Sequence, residues 1–125
     1  MTTTITICDT CKREGWDAAT TGLTDGEALA ALIEAEATAF GGTVKTRRFS
    51  CLMGCDRACN ITIQAEGKLN YTLGAFTPDA EAAKGIVEYA TLHANSTSGQ
   101  VPYREWPAAI KGHFTTRHPP LNGDQ

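Results

Sequence analysis

The sequence predicts an α/β domain in which a strand–helix–strand unit is followed by a β-hairpin and a second helix, giving a mixed sheet with helices packed on it. Three observations carry that expectation. Thr4 to Ile7 alternates polar and apolar residues, all β-branched, which is the period of a half-buried strand. Leu29, Ile33, Ala37 and Phe40 recur at helical spacing behind Thr24, whose hydroxyl forms a capping box with Glu27. Ile61 and Ile63, then Leu69, Tyr71 and Leu73, alternate on either side of Glu66-Gly67, the pattern of a hairpin and its turn.

Each element follows in order. The first strand runs straight into Cys8, and Gly15, Gly22 and the threonine-rich stretch between them oppose a helix, so a loop is expected up to Thr24. Gly41-Gly42 ends the first helix, because glycine takes the left-handed conformation that a helix terminus favours. Val44 to Phe49 is a second strand, polar enough for the edge of a sheet. Thr77-Pro78-Asp79 opens the second helix with Pro78 in its first turn, Ala83, Ile86, Val87 and Ala90 form its buried stripe, and Asn95 to Gly99 end it. One domain, 1–125, is expected, with a core over 3–94 and an irregular extension over 95–125 holding a short helix near Trp106 to Lys111. The strands of a strand–helix–strand unit are normally parallel, so their carboxyl ends share one edge of the sheet. The loops after Cys8 and Phe49 are therefore expected to meet.

The formal net charge is −3 over 125 residues. That is the wrong sign for a dedicated nucleic-acid binder, which needs many Lys and Arg contacts to phosphate. Basic residues gather near the cysteines, with Lys12 and Arg13 after the first cluster, Lys45, Arg47 and Arg48 before the second, and Arg57 inside it. A solvated face accounts for them as readily as a partner does. No basic segment followed by an apolar stretch opens the chain, and no run is long enough to cross a bilayer, so a cytoplasmic protein without membrane association is expected. In that reducing compartment clustered cysteines point to metal or redox chemistry, and five of them do not close a set of disulfides.

The cysteines fall into two clusters, Cys8-Asp9-Thr10-Cys11 and Cys51-Leu52-Met53-Gly54-Cys55, with Cys59 four residues on. Such spacing lets paired thiolates turn toward one centre and supplies the four sulfurs of an iron–sulfur cluster or of an all-cysteine zinc site. Zinc ribbons usually repeat a two-residue gap, whereas the second gap here is three. A thiol–disulfide oxidoreductase is the third reading of Cys-x-x-Cys after a first strand. It lacks the helix that normally begins at the motif and activates the nucleophile. His93, His113 and His118 lie far from the cysteines in sequence and are expected at the surface. Trp16 is expected as core filling or as a shield over the metal. Met53 is either a spacer or a cover for the centre, and Tyr103, Trp106 and Pro107 are either a partner-binding patch or, by default, fold back on the sheet. No phosphate loop, Ser-His-Asp set or paired carboxylates can be singled out.

Ile7-Cys8-Asp9-Thr10-Cys11 after the first strand, Cys51-Leu52-Met53-Gly54-Cys55 after the second, a hairpin with Tyr71 and a helix opening with Thr77-Pro78-Asp79 together resemble the thioredoxin-like [2Fe–2S] ferredoxins over residues 3–94. The resemblance implies a thioredoxin-like fold, a [2Fe–2S] cluster held by Cys8, Cys11, Cys51 and Cys55, and single-electron transfer between redox proteins rather than enzymatic catalysis. It also implies a homodimer. Lys12, Arg13 and Arg57 would then tune the potential and offer a positive rim to an acidic partner. Two features depart from that family. The first cysteine gap is shorter here, and Cys59 stands where the family commonly has a proline, which makes Cys59 a spare thiol or an alternative ligand. The whole chain, including Val101-Pro102-Tyr103-Arg104-Glu105-Trp106-Pro107, resembles still more closely an uncharacterised bacterial group of short metal-binding proteins.

Overall fold

The β-branched amino terminus forms β1 (Thr4–Cys8), the strand from which the rest of the sheet is built. The structure, a computed structural model, describes residues 3–17, 22–41, 44–50, 52–53 and 57–120. Helix α1 (Asp25–Ala39) leads to β2 (Lys45–Phe49), which pairs in parallel with β1 from Thr4↔Lys45 to Cys8↔Phe49. On its other side β1 meets β3 (Ile61–Gln64), antiparallel, with Ile5 opposite Ile63 and Ile7 opposite Ile61. The hairpin continues into β4 (Asn70–Leu73) and the chain into α2 (Ala80–Asn95). A fifth strand, β5 (Phe114–His118), closes the order β2-β1-β3-β4-β5.

The two helices lie against one face of the sheet. Ile5, Ile7, Ile61, Ile63 and Leu73 from the sheet meet Leu29 and Ile33 from α1 and Ile86, Val87 and Tyr89 from α2, and all are buried. Each buried side chain of this size contributes about 1.5–3 kcal/mol, so this contiguous apolar layer is the main source of stability. The opposite face carries Thr4, Thr6, Arg47, Thr62, Gln64 and Thr72, where alternation places the polar partner of every buried residue. There the Arg47 Nε donates to Thr6 Oγ1 at 2.7 Å.

Helix α1 begins as its capping box requires. Thr24 Oγ1 accepts from the Glu27 N–H at 3.0 Å, and Glu27 Oε1 accepts from the Thr24 N–H at 2.8 Å. Helix α2 starts later than Pro78 suggests. Asp79 is its N-cap, accepting from the Ala82 N–H at 2.8 Å, so Pro78 lies before the helix rather than in its first turn.

The carboxyl-terminal extension is more regular than expected. The stretch after Gly99 contains two 3₁₀ turns, Tyr103–Glu105 and Ala108–Ile110, in place of one helix at Trp106 to Lys111, followed by β5 on the sheet edge. Trp106 packs edge-on to Tyr89 and stacked on Phe114, so this segment folds back on the sheet. His93 is not at the surface. It is fully buried on α2, between Thr3 and the Leu69 carbonyl.

Candidate metal centre

Parallel pairing sets the site. Cys8 is the last residue of β1 and lies beside Phe49, the last of β2, so the loops leaving both strands start from the same sheet edge. The Asp9 N–H donates to the Phe49 carbonyl at 3.2 Å and extends that contact past the strand end. From the helical side the Gly26 N–H donates to the Cys11 carbonyl at 3.0 Å, and Thr24 Oγ1 donates to the Asp9 carbonyl. The Arg13 N–H bonds the Asp25 carboxylate at 2.6 Å. The first cysteine cluster is thus fastened to the amino terminus of α1, although no helix begins inside it.

Cys8 and Cys11 are brought together, and the Cys11 thiol donates to the Cys8 sulfur. Burial alone would raise the Cys8 thiol. Hydrogen bonds from Cys11, the Leu52 backbone N–H and Thr10 outweigh it and hold Cys8 below the usual thiol range. Cys11 moves the other way, pushed up to about 12 by burial and by its donation to Cys8. Cys59 enters the same site from the strand that follows it, fully buried just before β3, its backbone paired with Phe76 at 3.3 and 3.4 Å. Burial and then Asp25 push its thiol up to about 12, against the opposing charge of Arg13.

Cys51 and Cys55 lie outside the described residues. Leu52, next to Cys51 in sequence, is described, and its backbone N–H is among the groups that lower the Cys8 thiol. Among the described residues no group of three or more His, Cys, Asp or Glu side chains is close enough to hold a metal ion. The donor chemistry nonetheless fits an iron–sulfur centre. Two neighbouring thiols are buried, and the Asn60 side-chain amide donates to the Cys11 sulfur at 3.0 Å, a donor of the kind that stabilises thiolate ligands.

The basic residues divide. Arg13 lies close enough for its charge to act on Cys59, whereas Lys12 sits 4.7 Å over the Trp16 ring. The Arg57 guanidinium donates to the His113 carbonyl at 3.3 Å. Trp16 is half-buried, its indole N–H bonded to the Leu23 carbonyl at 2.8 Å, so it is part of the loop rather than of the core. Met53 is 88% exposed and projects outward beside the site. Sequence reasoning passed over Asn60, whose side chain touches Cys11. A polar residue between Cys59 and a β-branched strand was the available signal.

Taken together, a mixed sheet with parallel β1 and β2, helices on one face and Cys8 and Cys11 at the carboxyl end of β1 define a thioredoxin-like fold. The fold is shared with a solved structure described as a thioredoxin-like [2Fe-2S] ferredoxin from Aquifex aeolicus, at a TM-score of 0.57 and 14% identity, covering 95% of this chain and 94% of that one. The chain belongs to the family described as Protein of unknown function (DUF1636), whose model matches residues 5–120. No curated protein matches the sequence.

Proposed function

We propose that the protein is a small electron carrier that holds one [2Fe–2S] cluster through Cys8, Cys11, Cys51 and Cys55 and exchanges single electrons with larger redox proteins. The observation that supports this reading is the parallel pairing that ends β1 at Cys8 beside the end of β2 at Phe49, so that the chain leaves both strands toward its two cysteine clusters from one sheet edge. The fold shared with a ferredoxin supports it. Cys8 and Cys11 would bind as thiolates, releasing their protons to solvent as the metal enters. Leu52 and Asn60 N–H groups then offset the negative charge on sulfur, and burial of Cys11 limits water at that ligand. A bound cluster of this kind accepts and returns one electron. Arg13 beside Cys59, with Lys12 nearby in sequence, gives the rim a positive component suited to an acidic partner in the cytoplasm.

The Cys11-to-Cys8 hydrogen bond favours a second reading, a dithiol couple. In it the Cys8 thiolate attacks a substrate disulfide, and Cys11, losing its proton, displaces the mixed disulfide to leave a reduced substrate and a Cys8–Cys11 bond. Anaerobic purification with iron, zinc and acid-labile sulfide analysis separates these readings. Brown protein with equal iron and sulfide agrees with the electron carrier. Colourless protein with one zinc contradicts it in favour of a structural metal site, and metal-free protein that reduces disulfides favours the dithiol couple.

A further inference from the structure

Asn60 makes contacts that its position in the fold does not require. Its carbonyl accepts the Cys8 N–H at 3.2 Å, which is ordinary pairing at the start of a strand. Its side chain is only 2% exposed, yet its amide finds one partner, the Cys11 sulfur, with Nδ2 at 3.0 Å. The amide oxygen Oδ1 has no partner among the described residues. The Asn60 backbone N–H also acts to lower the Cys11 thiol, beside the side-chain bond. A buried amide with an unpaired oxygen costs the desolvation of that oxygen, and an apolar residue of similar size would avoid the cost. A neutral thiol is a weak acceptor that gives little in return, whereas a thiolate ligand accepts strongly. The arrangement therefore serves the charged form of Cys11.

We infer that Asn60 is a positioning residue for the cysteine centre, supplying the N–H···S bond that holds Cys11 as a ligand and favours the reduced state of the centre. This rests on the reading of Cys8 and Cys11 as cluster ligands. Reduction adds negative charge that spreads onto the ligand sulfurs, so a donor aimed at sulfur stabilises the reduced form more than the oxidised one. Removing Nδ2 while keeping the backbone N–H should lower the potential without abolishing the centre.

The test uses the full chain and its Asn60→Leu and Asn60→Ala variants, each reconstituted anaerobically with iron and sulfide. Redox titration is followed by visible absorption and circular dichroism. Both variants are expected to hold the cluster, with the reduced-to-oxidised ratio at a fixed potential lowered about tenfold, equal to about 59 mV for a one-electron couple. The sulfur-to-iron bands should shift as well, which a purely structural role would not produce. Cluster-bearing variants with unchanged potential and bands overturn this inference alone. Wild-type protein that takes up no iron overturns it together with the electron-carrier reading. If Asn60→Leu does not fold, Asn60→Ala decides, and failure of both to fold assigns Asn60 a structural role and overturns the inference.

Discussion

Gly26 offers a sharp test of how α1 is fastened to the cysteine loop. A Cβ added there would lie 2.0 Å from the Cys8 carbonyl oxygen and 3.1 Å from two Asp9 backbone atoms, where ordinary contact begins at 3.4 Å. The obstacle is backbone, so no side chain can swing aside, and α1 and the end of β1 must separate by more than an ångström. Two effects oppose each other in Gly26→Ala. Helix propensity favours alanine by about 1 kcal/mol. Forced overpacking of this kind costs about 3 kcal/mol, so a net loss of about 2 kcal/mol is expected. For a chain of this length that corresponds to a melting temperature lower by about 8 °C. Urea denaturation and thermal melts followed by circular dichroism measure it, and metal content should fall with stability because Cys8 is the residue displaced. A variant as stable as wild type, or more stable by the propensity difference, would refute the close approach on which the site's geometry rests.

Two further outcomes concern the far end of α2. Burial holds His93 below its ordinary value near 6.5, with the Leu69 carbonyl opposing that shift and Lys68 adding to it, so the unfolded chain takes up the proton first as the pH falls. The stability His93 contributes is therefore present above about pH 6.5 and is lost in acid, by at most about 1.4 kcal/mol per pH unit; comparing urea midpoints of wild type and His93→Gln between pH 7.5 and 5 should show that slope removed in the variant. Lys68 Nζ donates to the His93 and Ala94 carbonyls at 3.1 and 2.7 Å, closing the carboxyl end of α2. Lys68→Met should cost about 2 kcal/mol by denaturant titration, and a cost below about 0.5 kcal/mol would show those bonds to be exchanged for water without loss.

Much of the fold was legible because hydrophobic period and capping agreed. Ile5 and Ile7, the Thr24–Glu27 box and the Ile61/Ile63 and Tyr71/Leu73 alternation each led to the observed element. β5 escaped because its sequence, FTTRH, gives the core only a half-buried Phe114 and leaves four exposed residues on an edge strand, so no apolar alternation marks it. Gly112 and Pro119 on either side of two β-branched threonines were the signal available. His93 was misjudged from residue type. It continues the stripe Ala83, Ile86, Ala90 at helical spacing, and that register, with buried partners in Thr3 and Leu69, decides its place.

The site was legible in part. Cys8 and Cys11 lie together at the end of β1, and the parallel register of β1 and β2 starts the two cysteine-bearing loops from one sheet edge, with Cys51 and Cys55 themselves outside the described residues. The donors could not be read ahead. The Leu52 N–H is a backbone group whose direction depends on tertiary structure, and Asn60 matters through a contact across 49 positions of chain. Cys59 is buried in the same site, which its sequence position alone left open.

The central claim, that sulfurs from two loops distant in sequence close on one iron centre, is tested most directly by replacing each cysteine with serine in turn and measuring iron and sulfide per chain after identical anaerobic reconstitution. Cys8→Ser, Cys11→Ser, Cys51→Ser and Cys55→Ser are each expected to lose or strongly alter the same centre, while Cys59→Ser keeps it. Full retention of iron and sulfide in Cys51→Ser and Cys55→Ser would contradict it.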